Sequence, residues 1–496
     1  MTLSFLSKLY TLTCSGLLCL GVALFTFPLV GKAQEISGAE APTSGPDTVA
    51  IRYGPFWEAS KTSSVTEFPQ QQFNRGLLTN PTDLISGQAA GLRITSINGA
   101  PGAGPLIQLQ RNYALAGESA PLVIIDGMIL ETEALYLLDS PLSLLNPQDI
   151  ASITLLKDAA ATALYGALGA NGVVHITTKQ SPTTRKLQVQ FSSRLAVSQL
   201  ARKTPVLTAD QFRDVVNQYG TPEQKEHLGT AHTDWQEEVY RNAVSHDQNL
   251  ALSGTLGRFP YRLSLGYLHQ NGILANSHFS RTSAALTLTP AFFKNRLKTG
   301  LMLRKGSSDS RIPNENMVLS PLRANPTHPT SVAEDNSSFP TNVKNPLTML
   351  ERQKNDGTAE KELVQLQLQY SFGFLPGLKA RAHIGFDHYT GTRDDFPNAS
   401  SNTYNFITQY EQGKKNTIQE YTLSYTDSLE KLDSYFEVIA GYFNQSLSIS
   451  YSYNSRIINF DDTGNNNQGR IRRGTYELEN IGFFGKRVIH LRTGTP

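Results

Sequence analysis

The stretch NPQDIASITLLKDAAATALYGALGANGVVHITTK, residues 146–179, decides the fold. Asn146-Pro147 suits a turn, and SITLL at 152–156 reads as a buried strand. DAAATALYG at 158–166 reads as a brief helix ended by Gly166, and GVVHITTK at 172–179 as a second strand. Upstream, the apolar run 123–130 turns at Asp126-Gly127, a dipeptide that favours a tight hairpin. Together these elements predict a compact α+β unit over 76–182.

Beyond it the chain changes period. Val364, Leu366, Leu368 and Tyr370 alternate with Gln365, Gln367 and Gln369. Tyr261, Leu263, Leu265 and Tyr267 alternate with Arg262, Ser264 and Gly266, and Leu378, Ala380, Ala382, Ile384 and Phe386 oppose Lys379, Arg381, His383 and Asp387. Leu447, Ile449, Tyr451 and Tyr453 oppose serines at 446, 448, 450 and 452. Runs of roughly ten residues suit tilted membrane strands better than the shorter strands of a soluble sandwich. GRF at 257–259 and LPG at 375–377 predict tight turns, whereas 306–360 and 454–474 predict long loops. Short turns at one rim and long loops at the other are the signature of an outer-membrane barrel, here over 183–496.

Targeting agrees. One cation, Lys8, precedes an apolar run to Val30, and Gly31-Lys32-Ala33 closes it; small residues there and Pro28 favour cleavage after Ala33 over a retained anchor. Residues 1–33 are therefore read as a signal peptide and 34–75 as a periplasmic linker. Both cysteines, Cys14 and Cys19, lie in the signal, which excludes disulfides and thiolate chemistry from the mature chain. A net charge of +2 without a basic stripe implies no nucleic-acid partner. GAPGAG at 99–104 lacks the Lys-Ser/Thr of a phosphate loop, DDTGNNNQG at 461–469 misses the spacing of an EF-hand, and no nucleophile elbow or histidine pair is present. No enzyme, cofactor or metal is expected.

NPTDLISGQAAGLRI (80–94), NGAPGAGPLIQLQR (98–111), PLVIIDGMIL (121–130) and above all the opening stretch resemble the plug domain of SusC/RagA-type TonB-dependent outer-membrane receptors. The resemblance implies a barrel in the outer membrane of a Bacteroidetes-like Gram-negative cell, filled by the plug and surrounded by outer-membrane lipid. It implies energised import of an oligomeric nutrient, glycan or peptide, driven by TonB with ExbB/ExbD and lidded by a SusD-like surface lipoprotein. Coupling needs an extended segment ahead of the plug that can add to TonB as a strand, and Asp47, Thr48, Val49, Ala50 and Ile51 occupy that place. An adhesin-like, non-transporting surface or periplasmic β-protein that retains a plug fold is the alternative.

Three features depart from the family pattern. The residues between Ala33 and Asp47 leave no room for an extra domain, and Arg111-Asn112 stands where Arg-Gly is usual. About ten strands follow the plug against about 22 in a plugged transporter of this kind, and RVIHLRTGTP at 487–496 does not alternate. The barrel is therefore expected to be incomplete and the product a truncated form. Its strands should make a partial sheet wrapped on the plug, with an edge near the C-terminus unpaired, unable to form a stable transporter alone.

Overall fold

A computed structural model describes residues 48–51, 54–57 and 65–491, the last without 97–98, 110–119, 132–139, 158–162, 183–184, 314, 332–344, 353–354, 396–403, 430–433 and 460–469. The signal segment, Asp47, Arg111-Asn112 and the loop 461–469 lie outside the described residues.

Two short strands, β1 (Thr48–Ile51) and β2 (Gly54–Trp57), pair antiparallel. Then comes the plug: β3 (Val65–Pro69), β4 (Leu92–Ser96), β5 (Pro105–Leu109), β6 (Leu122–Ile125), β7 (Met128–Leu130), β8 (Ile150–Leu156) and β9 (Val173–Thr178). Strands β4 and β5 form their own hairpin, and the other five make a sheet in the order β3-β8-β9-β6-β7. The sheet thus begins at Val65, inside the stretch expected as linker, because Phe68 is buried in the plug core and β3 pairs with β8. The helix expected over 158–166 is different where it is described: Ala163–Gly169 is a 3-10 element kinked at Gly166, whose φ of 62° and ψ of −148° interrupt the helical run.

The central strands are apolar on both faces because both are covered. Ile124, Ile125, Ile150, Ile153, Leu155, Val174 and Ile176 are all at most 1% exposed. Leu363, Ile418 and Phe443, which lie beyond the plug in the chain, join the same cluster. At about 1.5–3 kcal/mol per buried large apolar side chain, those three insertions alone fix the plug firmly against its surround.

That surround is one antiparallel sheet: β10 (Gln188–Ser198), β11 (Ala243–Leu256), β12 (Phe259–Asn271), β13 (His278–Leu288), β14 (Ala291–Phe292), β15 (Leu297–Arg311), β16 (Asp356–Ser371), β17 (Leu378–Asp395), β18 (Tyr404–Leu429), β19 (Ser434–Asn459) and β20 (Arg470–Leu491). Each pairs with the next, except that β14 only clips onto β15, which pairs directly with β13. Among the described residues β10 and β20 end the sheet and do not meet, so the wall is open and its C-terminal edge strand is unpaired, as the strand count implied. RVIHL does continue the last strand: the ladder to β19 runs through Leu491 opposite Ser434, since backbone pairing does not need alternating side chains.

Tight turns close one rim at 257–258 and 375–377; at the latter Gly377 has φ +93° and a Cβ would strike the Thr426 carbonyl. The opposite rim carries 199–242, with helices α1 (Ala209–Tyr219), α2 (Pro222–Glu226) and α3 (Trp235–Val239), and 312–355, with α4 (Glu315–Arg323) and α5 (Pro346–Arg352). The expected loops 306–360 and 454–474 are shorter than read, because β15 runs to Arg311, β16 starts at Asp356 and β19 continues to Asn459. β18 and β19 are 26 residues each, longer than the roughly ten anticipated.

The wall's burial is inverted relative to a soluble protein. Gln365 is 0% exposed and Ser264, Asn249 and Lys361 are buried, while Phe191 is 60%, Leu195 74% and Phe386 51% exposed. Polar residues look in and apolar residues look out, which is stable only where the outer medium is lipid. On β19 the sides exchange locally: Phe443 and Leu447 point inward and Ser446 outward, because the plug's apolar core reaches the wall there.

Candidate functional site at the plug–wall seam

The alternation that sends polar side chains inward aims single cations at the plug. Arg281 on β13 uses one guanidinium nitrogen to donate to the carbonyls of Thr79 and Ser143, both at 2.8 Å, and of Leu145 at 3.2 Å. Arg262 on β12 pairs with Asp149 at 3.0 Å, both largely buried. Arg304 on β15 lies 3.1 Å from the carboxylate of Asp126 and donates to Thr178 Oγ1.

Amides complete the seam by reading the backbone of the 122–130 hairpin. Gln365 donates to the Ile125 carbonyl at 3.1 Å, Gln367 to that of Asp126 at 2.9 Å, and Asn416 to that of Ile129 at 2.7 Å. The hairpin turns as expected, with Asp126 at φ 50° and Gly127 at φ 90°, the left-handed pair a type I′ turn requires. Asp126 also accepts from Thr178 N at 2.8 Å and Oγ1 at 2.7 Å, tying the turn to the end of β9. Asn146 donates to Asn249 at 2.7 Å and Thr79 to Gln270 at 2.6 Å.

The opening stretch thus acquires a role beyond its fold: Asn146, Asp149 and Thr178 are contact points with the wall. Lys179 follows them, and burial, then repulsion from Arg262, outweighs the attraction of Asp149 and pulls its ammonium down to about 8. The folded state binds fewer protons there than the unfolded chain between about pH 8 and the ordinary lysine range, so this group favours folding increasingly as pH rises through that window.

The glycine-rich stretch set aside as a phosphate loop has a steric purpose. Gly102 has φ +77°, and a Cβ there would collide with the ring of Phe279, a fully buried wall residue. Gly102→Val should unseat this plug loop without touching the plug core, raising protease cleavage near residue 102 at least severalfold while cleavage within the wall strands stays unchanged. Unchanged cleavage would show that the loop accommodates the side chain elsewhere.

The sequence-predicted coupling residues sit apart from the seam. Thr48, Val49, Ala50 and Ile51 form β1, already extended and paired on one edge with β2. At the rim with the long connections, 203–212, 232–236 and 321–326 enclose a cavity of about 570 Å³ bordered by Phe212, Trp235, Gln236 and Arg323. Trp235 Nε1 donates to the Asn325 carbonyl at 2.9 Å, and Gln236 clasps both backbone groups of Thr204, so its walls are braced. Single arginines on the small-residue face of alternating strands were the available signal for the seam, but period alone does not reveal which of them meets the plug.

Comparison with known proteins follows this geometry. Residues 58–173 match the TonB-dependent receptor plug domain. The TonB-dependent receptor SusC of Bacteroides thetaiotaomicron is 32% identical over 427 residues, covering 80% of this chain and 42% of that protein. The chain is of the SusC/RagA receptor type. TonB-dependent receptor P3 of Formosa agariphila is 30% identical over 53% of the chain and 25% of its own length. The RagAB peptide importer in its open-open state superposes with a TM-score of 0.74 at 19% identity, over 90% of this chain and 55% of that one. The ferric citrate transporter FecA gives 0.57 at 12% identity, over 90% and 57%. The chain therefore spans about half or less of the length of these relatives. SusC/RagA-type receptors are outer-membrane proteins, and the inverted burial of this wall is what that membrane demands.

Proposed function

We propose that the chain serves TonB-energised import of an oligomeric nutrient, a glycan or a peptide, across the outer membrane, with a SusD-like surface lipoprotein over its outer rim. The observation that supports this reading best is the seam: besides the apolar insertions of Leu363, Ile418 and Phe443, the plug meets the wall through separate hydrogen bonds and ion pairs, contacts that a pull from the periplasmic side can break one at a time and that re-form without loss. A static adhesin gains nothing from such a filling. The braced rim cavity is of a size to take a few sugar or amino-acid units from an arriving oligomer.

Coupling is assigned to Asp47, Thr48, Val49, Ala50 and Ile51. β1 is in strand conformation with one edge unshared in its two-stranded sheet, which suits addition of a TonB strand with ExbB/ExbD supplying the force. Deleting 47–51 from the receptor in a cell that depends on it should abolish energised uptake while binding of nutrient at the surface persists. Uptake at the parental rate would place coupling elsewhere; loss of binding as well would point to a folding defect instead.

A further inference from the structure

The lipid-facing side of the wall has a feature that import does not use. Register rows across β11, β12, β13 and β15 grade in polarity toward the long-loop rim. Leu252, Leu263, Leu286 and Leu303 stand in one row, and Gln248, Tyr267, Thr282 and Ser307 in a higher one. The row above that is His246, His269, Ser280 and Asp309, and His278 faces Asn271 and Arg311 just beyond it. These residues share the outward side with Leu265 and Tyr267, which are 38% and 41% exposed, while the intervening Ser245, Asp247, Leu268 and Arg281 are buried inward.

The three imidazoles form a file. His246 and His269 lie 5.6 Å apart centre to centre, His269 and His278 6.3 Å apart with ring planes inclined by 30°, and Tyr267 sits 5.6 Å from His246. His269 Nδ1 meets Ser280 Oγ at 2.8 Å, and His278 meets the exposed Asp309 at 3.0 Å. The other charges near the file are Arg241, which reaches Asn271 at 3.4 Å, and Arg311, bound to Asp356. Among the described residues no group of three His, Cys, Asp or Glu is placed to hold a metal ion. A file of imidazoles beside Arg241, directly above an apolar belt and below the rim, lies where lipid headgroups end.

We propose that His246, His269 and His278, with Arg241, bind the phosphate of an outer-leaflet phosphoglycolipid and so fix the wall's depth and its annular lipid. A phosphate can accept from imidazoles that carry protons and from Arg241, and imidazoles gain protons on acidification; Asp309 competes for His278. Binding therefore strengthens on acidification and is opposed by the one carboxylate in the file.

The test uses the full chain in detergent micelles and native mass spectrometry, offering a bisphosphorylated glycolipid, the same glycolipid stripped of phosphate, and inorganic phosphate. The phosphorylated lipid should be retained about tenfold more than the stripped one at pH 6, with the advantage fading by pH 8. His246→Gln with His269→Gln should remove the advantage, and Asp309→Asn should enlarge it. Equal retention of the two glycolipids, inorganic phosphate held as firmly as the lipid, or an undiminished advantage in the histidine variant would each overturn the proposal. If that variant misfolded, read as faster protease cleavage of its wall strands, Asp309→Asn would decide, since an unchanged preference there also counts against the site.

Discussion

Arg281→Leu should loosen the plug by about 3–5 kcal/mol, because it strips the donor from three carbonyls that are shut away from water. The carbonyls of Thr79, Ser143 and Leu145 converge on one guanidinium nitrogen, and Arg281 itself is 2% exposed. Leucine fills much of the volume and accepts none of the hydrogen-bonding work, so the loss reports on polar satisfaction and not on a cavity. Denaturant titration of the refolded chain, followed by protease cutting within 79–145, should show the plug released at markedly lower denaturant than in the parent. Arg281→Lys should recover part of the loss, since an ammonium can also donate to converging carbonyls but sits on a stem of different length and shape. An unshifted release point would mean that the wall does not depend on this contact.

Asp126→Ala is expected to be comparably severe, about 3–5 kcal/mol, for the opposite reason: it leaves the cation. Arg304 would keep its charge in a buried site with only Thr178 Oγ1 to receive it, and Thr178 would lose both hydrogen bonds from its amide and hydroxyl. Adding Arg304→Met to Asp126→Ala removes the stranded charge, so the double variant should be more stable than the single one. The same denaturant assay run as a double-mutant cycle gives the coupling directly. Additive effects would show that the two groups do not act on each other.

Much of this architecture was legible in the residues. The hairpin at Asp126-Gly127, the strands at 152–156 and 172–179, the plug ahead of the wall and the open strand path all follow from local pattern, because turn chemistry and side-chain period are short-range. The family resemblance rested on the same motifs. What escaped was long-range. β3 is an ordinary polar-apolar pentapeptide until β8 lies beside it, and RVIHL is a strand only because β19 pairs with it. The seam was hidden for the same reason: Arg262, Arg281 and Arg304 look like any inward polar residues of a barrel, and the carbonyls, carboxylates and hydroxyl they bind come from 79–178, far away in sequence. Gly102 carried a visible signal that was read against the wrong chemistry. The placement of Thr48–Ile51 in a strand agrees with a coupling role but arises from pairing with β2.

The length of β18 and β19 has a consequence for what the cell presents to its surroundings. At about 3.3 Å per residue and a tilt near 40°, 26 residues rise roughly 65 Å, and a bilayer's apolar band takes up only about 25 Å of that. Their large exposed apolar residues run from Tyr421, Leu423 and Val438 toward the tight-turn end up to Tyr451 on β19, so the surplus on the outer side is the part of the strands beyond Tyr451. There the backbone is locked in a hydrogen-bonded ladder. A protease, a phage fibre or an antibody approaching this flank therefore meets a stiff β palisade about 20 Å tall before it reaches lipid, and cleavage or recognition is confined to the crests between strands.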